Sequence, residues 1–302
     1  MSEPTTTSSI SVSVTNSVPG TFINANVKPF DPTLPHQTPA MNAFNTSLDK
    51  FRSNPKFVVK EITPIAVSPF GQLGKTKAGF AYMLADVQYA KINNPTTGAP
   101  VAVPGLALVR GGSITILTFL HCEGIDYVIL TEQARIPIGD PAYKEAVAGM
   151  LDGNDDFVGV AAKELDEEAG LKLGRKDFKD LGEFIPSAGG SDERIKLKYT
   201  RVKCDKAVLT YLNGRLTGEI GESEQITVRI LPLSEVRSQI INGILTDAKL
   251  MVGLYHYSER PDLHKWSCDQ QLAMGDDGKP HMVDVVAPTV SWLGAFWKWM
   301  FP

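Results

Sequence analysis

Residues 149–171 read GMLDGNDDFVGVAAKELDEEAGL, and the rest of the chain is read outward from them. Glu164, Glu167 and Glu168 fall within five residues, just ahead of Gly170. A helix turns about 100° per residue, so positions i, i+3 and i+4 share one face. Three carboxylates on one stripe repel one another, and a hard divalent cation with oxygen ligands offsets that repulsion. The opposite stripe, Phe157, Val158, Ala161, Ala162, Leu165 and Ala169, is apolar and suited to a core. Asp152 and Asn154 are the candidate N-caps, and Gly170 stands where a left-handed C-terminal stop belongs. Lys163 lies four residues before Glu167 and next to Glu164, so it can pair with the acids and hold them in place. A generic acidic cluster is a solvated helix face. Capped ends and a pinned acidic stripe describe instead a helix built to position its acids.

This stretch resembles the Nudix box, whose pattern is G-x5-E-x7-R-E-U-x-E-E-x-G-U with U apolar. Here Gly149 opens it, Asp155 takes the first acid position, and Lys163-Glu164-Leu165-Asp166-Glu167-Glu168-Ala169-Gly170-Leu171 completes it with the spacing kept. Two positions depart: Asp155 stands for Glu and Lys163 for Arg. Both keep the charge, but lysine lacks the bidentate fork that arginine offers to carboxylates, which bears on rate more than on a metal site. The resemblance implies an α+β fold, a Nudix α/β/α sandwich with a mixed sheet, preceded by a small antiparallel β region. It also implies Mg²⁺ as cofactor, with Mn²⁺ as the alternative. The ligands would be Glu164, Glu167 and Glu168 with the backbone carbonyl of Ala148, and Glu167 would count among the catalytic residues.

Composition is consistent with a soluble enzyme. The 302 residues are 43% hydrophobic, enough to bury the core of one large domain or two small ones. A net charge of −4 gives no electrostatic footprint for nucleic acid, and none is expected as a partner. Cys122, Cys204 and Cys268 are odd in number, lack metal-pair spacing, and read as reduced thiols in an intracellular protein. No apolar run reaches the length of a membrane span, and the N-terminus lacks the basic and apolar regions of a secretory signal. The expected location is cytoplasmic, without membrane contact.

Residues 1–27 are rich in Ser, Thr, Val and Asn, with one acid and no basic residue before Lys28. Disorder is expected for this tail, taken as residues 1–40. A plastid or mitochondrial transit peptide is the alternative, against which the missing arginine counts. A short helix is expected from Asn42 to Phe51. Strands are expected at Lys56–Ile62, Phe80–Tyr89 and Leu106–Arg110, with turns at Pro69–Lys75 and Asn93–Pro100. Residues 41–110 thus form an N-terminal β region that either extends the next domain or stands apart. Resemblance to ADP-ribose and ADP-sugar pyrophosphatases implies that it builds a homodimer in which each subunit helps to form the other's substrate pocket.

The hydrolase domain is expected over residues 111–260. Ser113–His121 and Tyr127–Thr131 read as strands around a turn at Glu123–Asp126. The segment Glu132-Gln133-Ala134-Arg135-Ile136-Pro137, followed by Glu145-Ala146-Val147-Ala148-Gly149-Met150, resembles the ADP-sugar branch of the family. That resemblance implies that Arg135 contacts the substrate phosphates, with Glu132 also in the substrate-binding set. A guanidinium fork suits phosphate oxygens; the plain alternative pairs Arg135 with a surface acid. After a strand at Phe178–Ile185, the loop Pro186–Arg194 resembles the PGGTSE-type loop whose glutamate is proposed to help activate the attacking water. Glu193 matches that acid, Asp192 is its competitor, and a charged surface turn is the alternative. Further strands are expected at Lys198–Val202 and Ala207–Leu212. The segment Gly221–Arg229 resembles the entry to the last strand. Helices are expected at Pro232–Ile244, capped by Ser234, and at Thr246–Tyr255. His256 and His264 have no metal-ligand spacing and read as structural or surface residues. Residues 261–302 form a C-terminal extension in which Trp292, Phe296, Trp297 and Trp299 pack on the body or on a partner.

The expected reaction is Mg²⁺-dependent hydrolysis of the diphosphate bond of ADP-sugars, ADP-ribose or ADP-glucose, to AMP and a sugar phosphate. One alternative is another nucleoside diphosphate derivative handled by the same box. The other is an ADP-ribose-binding sensor without turnover, which would be expected to have lost a box acid; all three persist here.

Overall fold

The computed structural model describes residues 39–70, 77–151, 156–218, 225–264 and 270–284. The tail before residue 39, the box acid Asp155, the candidate caps Asp152 and Asn154, Cys268 and the tryptophan-rich end lie outside these residues. The chain divides between Arg110 and Gly111 into two compact units.

The first unit holds helices α1 (Pro39–Ser47) and α2 (Asp49–Arg52) and strands β1 (Phe57–Phe70), β2 (Lys77–Asn93), β3 (Pro100–Val103) and β4 (Leu106–Val109). β2 is the hub of an antiparallel sheet, pairing with β1, β3 and β4. Its side chains alternate with the pleat: Ala81, Met83, Ala85 and Val87 are buried, while Tyr82 and Leu84 are exposed. Phe44 and Leu48 join those four in one apolar cluster. The helix expected over Asn42–Phe51 is two helices that meet at Leu48.

The second unit is built on a mixed sheet, ten-stranded among the described residues. Its strands are β5 (Ser113–Cys122), β6 (Ile125–Arg135), β7 (Asp140–Glu145), β8 (Val147–Met150), β9 (Lys179–Phe184), β10 (Ile195–Cys204), β11 (Leu216–Thr217), β12 (Ile226–Pro232), β13 (Gln270–Met274) and β14 (Pro280–Asp284). The order runs β11-β12-β6-β5-β10-β13-β14, with β7 on β6, β8 on β5 and β9 on β10. β10 lies parallel to β5 and β13, and the other pairings are antiparallel.

Both faces of this sheet are covered, which is why β5 is buried along nearly its whole length instead of alternating. Ile114, Ile116 and Leu120 share a core with Ala161, Leu165 and Ala169 of α3 (Phe157–Ala169) and with Val208 and Leu212 of α4 (Lys206–Leu212). Leu117 and Phe119 belong to a second core with Val236 of α5 (Leu233–Ile241) and Leu250, Leu254 and Tyr257 of α6 (Ala248–Ser258). The architecture is therefore α/β/α, with a mixed sheet between two helical layers. Cys122 and Cys204 are buried and form no disulfide.

Two local expectations are corrected. Ala207–Leu212 is helix α4 rather than a strand: Asp205 caps it, accepting from Val208 N at 2.9 Å, and Val208 and Leu212 bury one face. Ser234 does not cap α5, which starts at Leu233 behind Pro232 without a side-chain cap. Within the C-terminal extension, β13 pairs with the end of β10 and continues the main sheet.

Candidate active site

Helix α3 is fixed at both ends. Asp156 is its N-cap, accepting from Gly159 N at 3.0 Å, and Arg175 ion-pairs with the same carboxylate. At the other end Gly170 adopts φ 68°, and its N–H donates to Asp166 O at 2.9 Å. Ala161, Leu165 and Ala169 are fully buried and seat the helix on the sheet. The acids are thereby aimed at β8, where register pairs Thr115 with Ala148 and Ile114 with Gly149.

Glu168 is buried, and its carboxylate accepts from Ala148 N at 3.3 Å. Glu164 fills the space above Gly149 that a β-carbon would otherwise take. Glycine leaves that space to the Glu164 side chain. Glu167 is held by Lys163 across one helical turn at 2.7 Å, with Lys163 largely in solvent and Glu167 mostly covered. Glu164, Glu168 and the Ala148–Gly149 backbone are thus brought together, while Glu167 is engaged beside them. Among the described residues, no three His, Cys, Asp or Glu side chains are grouped so as to hold a metal ion. The donors at Ala148–Gly149 are nonetheless carboxylate oxygens at a strand backbone, the chemistry that suits a hard divalent cation.

Glu193 lies at the β5–β8 end of the sheet. Ser113 Oγ donates to Glu193 Oε1 at 2.9 Å, and Ser113 is the register partner of Met150, next in sequence to Gly149. Glu193 N donates to Ser191 Oγ at 3.2 Å, and Ser113 N donates to Arg194 O at 3.0 Å. The competitor Asp192 accepts from Gly111 N at 3.2 Å. Glu193 therefore belongs to the anchored end of its loop, whereas Pro186–Gly190 is exposed.

Arg135 pairs with an acid, but a buried one. Its Nε donates to Glu145 Oε1 at 2.7 Å and its Nη2 lies 2.5 Å from the same oxygen. Lys249 Nζ sits 2.8 Å from the other oxygen, Oε2, and 2.9 Å from Asp247 Oδ1. Asp247 caps α6 through Lys249 N and Leu250 N, and its Oδ2 accepts from Ala146 N at 2.9 Å. Burial alone would lower the pKa of Lys249, but Asp247 and Glu145 outweigh it and the pKa is raised. Glu132 is also engaged: Arg229 Nη2 lies 2.6 Å away and Lys144 Nζ 3.2 Å. The hydrogen bond from Arg229 is the main reason that its pKa falls below the ordinary carboxylate value. Sequence reasoning missed Ser113, Glu145, Lys249, Asp247, Lys144 and Arg229. The faint signals were an acid heading the apolar run Ala146–Leu151 and a capping Asp two residues before Lys249.

Carboxylates packed on a strand backbone and an ion-paired guanidinium suit work on a phosphate-bearing substrate. The chain belongs to the Nudix hydrolase family. It is 34% identical over 217 residues to Nudix hydrolase 14, chloroplastic, of Arabidopsis thaliana, a match covering 68% of this chain and 65% of that protein. It is 30% identical over 149 residues to ADP-ribose pyrophosphatase of Escherichia coli K12, covering 48% and 66% respectively. With a GDP-mannose pyrophosphatase of Pectobacterium atrosepticum it shares 31% identity over 152 residues, covering 49% and 72%. The chain thus spans just under two thirds of the length of the first two relatives. No family model matches it.

Proposed function

We propose that this protein is a divalent-metal-dependent pyrophosphohydrolase that cleaves the diphosphate bond of ADP-sugars, ADP-ribose and ADP-glucose among them, to AMP and a sugar phosphate. The observation that carries the reading is the packing of Glu164 and Glu168 against Ala148–Gly149, within a box whose spacing is intact. Relatives named for ADP-ribose and GDP-mannose support a nucleoside diphosphate sugar as the substrate class.

Glu164, Glu167 and Glu168, with the carbonyl of Ala148, would hold Mg²⁺ or, alternatively, Mn²⁺. When bound, the cation supplies neutralisation of phosphoryl charge and a more acidic water. Glu193, steadied by Ser113, orients the attacking water and takes its proton. Arg135 keeps one edge on Glu145 and offers the remaining exposed edge to the diphosphate. Glu132 acts in substrate binding through Arg229 and Lys144, whose positions it fixes. A homodimer formed through the N-terminal β unit, each subunit helping to complete the other's pocket, belongs to the same proposal. The chloroplastic relative favours a plastid location over the cytoplasm.

The test is AMP release from ADP-ribose and ADP-glucose, with GDP-mannose compared by GMP release, in Mg²⁺ and in Mn²⁺. Glu167→Gln is the control. Wild type releasing no more AMP than this variant would end the enzyme reading, and binding of ADP-ribose without turnover would replace it with a sensor.

A further inference from the structure

Arg135 leaves 42% of its side chain exposed, yet its guanidinium does not depend on solvent for its orientation. Nε and Nη2 both rest on Oε1 of Glu145, whose side chain is only 4% exposed. A carboxylate so desolvated is placed by its partners rather than by water. Its second oxygen is taken by Lys249, and Lys249 is placed by Asp247. Asp247 is immobile for its own reasons, since it caps α6 and accepts from Ala146 N. Charges along this line alternate from Arg135 to Asp247 and cancel.

We infer that Glu145 and Lys249, anchored by Asp247, are positioning residues for Arg135 and set the affinity of the site for the substrate diphosphate. The inference rests on the reading that Arg135 holds the diphosphate, and it adds the residues through which that contact is tuned. Lys249 keeps Glu145 divided between two cations. Without Lys249 the carboxylate has Arg135 alone, draws the guanidinium toward both its oxygens, and competes directly with phosphate. A loss of this kind weakens ground state and transition state alike, so KM rises while kcat is kept.

The test compares wild type with Arg135→Ala, Lys249→Met, Lys249→Arg and Asp247→Asn. ADP-ribose binding is measured by calorimetry in EDTA, and KM and kcat with Mg²⁺. Lys249→Met is expected to weaken binding and raise KM on the order of tenfold, with kcat within about twofold. Lys249→Arg should restore most of the loss. Adding Lys249→Met to Arg135→Ala should weaken binding no further. If Lys249→Met does not fold, Asp247→Asn carries the same test. Asparagine keeps one acceptor oxygen for the cap while removing the charge that holds Lys249 and the second acceptor, so a several-fold loss of binding is expected. Weakened Arg135→Ala beside a folded Lys249→Met or Asp247→Asn that binds as wild type overturns the positioning role alone, as does strict additivity. Arg135→Ala binding as wild type overturns the assignment of Arg135, and wild type that fails to bind ADP-ribose overturns the functional reading beneath both.

Discussion

The carboxylate of Glu164 occupies the space that a β-carbon on Gly149 would need, so the acidic helix and strand β8 meet at a point where only hydrogen fits. The backbone of Gly149 is outside the left-handed region, which makes space the constraint there and not the dihedral angle. What an added methyl meets is the flexible end of a glutamate, so the fold yields by moving that side chain. Gly149→Ala is therefore expected to change stability by about 1 kcal/mol or less and to lower AMP release on the order of tenfold or more. Thermal melting and initial rates on ADP-ribose check the two halves separately. Full activity in the variant would show that the position of Glu164 is irrelevant to the reaction.

Ser113 and Glu193 make a second pairing of this kind, 80 residues apart in sequence and 2.9 Å apart in space. If Glu193 takes the proton of the attacking water, Glu193→Gln lowers kcat on the order of a hundredfold. Ser113→Ala keeps the acid and removes one group that aims it, so a loss of several-fold in kcat with KM little changed is expected. Equal kcat for Ser113→Ala and wild type would mean that the serine only stabilises the loop end.

Glu132 yields a prediction about pH. Its folded pKa lies below the ordinary 4.5, first through the hydrogen bond from Arg229 and in smaller part through Lys144. A depressed carboxylate stabilises the fold fully above the unfolded value, and the contribution disappears as pH falls through the folded one. Wild type should thus exceed Glu132→Gln in urea stability at neutral pH, and the gap should close progressively below pH 4.5. A gap that stayed constant into acid would remove the ion pairs as its cause. The same variant tests the substrate role, because loosening Arg229 and Lys144 should raise KM.

Fold and site were legible to different depths. The acids of α3 were readable because helix periodicity and fixed spacing are local, and Gly170 and the Lys163–Glu167 pair stand where that spacing puts them. The cap was misplaced because four of the five residues at 152–156 are Asp or Asn, and only packing selects Asp156. Ala207–Leu212 failed because a short, mainly apolar run satisfies a strand and a buried helix alike. Arg135 was identified, but not what holds it: Glu145 and Lys249 are 104 residues apart and leave no shared pattern in the chain. The exit of β13 from the region read as an extension was hidden for the same reason, since its pairing partner Lys203 lies far upstream.

The misread segment gives the last prediction. Asp205 decides that residues 206–212 are helical, because Oδ1 accepts from Val208 N at 2.9 Å. Its other oxygen accepts from Met274 N at 3.4 Å, and its own N–H donates to Leu272 O at 3.2 Å. One carboxylate thus starts α4 and ties β13 to the sheet. Loss of an N-cap costs about 1 kcal/mol, and the second contact puts Asp205→Ala toward the upper end of the usual range, about 2 kcal/mol. Asp205→Asn keeps an acceptor in the cap position and should cost only a few tenths of that. Urea unfolding of the three proteins ranks them, with AMP release expected to be nearly equal because Asp205 lies outside the acidic site. An alanine variant as stable as wild type would mean that burial of Val208 and Leu212 forms α4 without its cap.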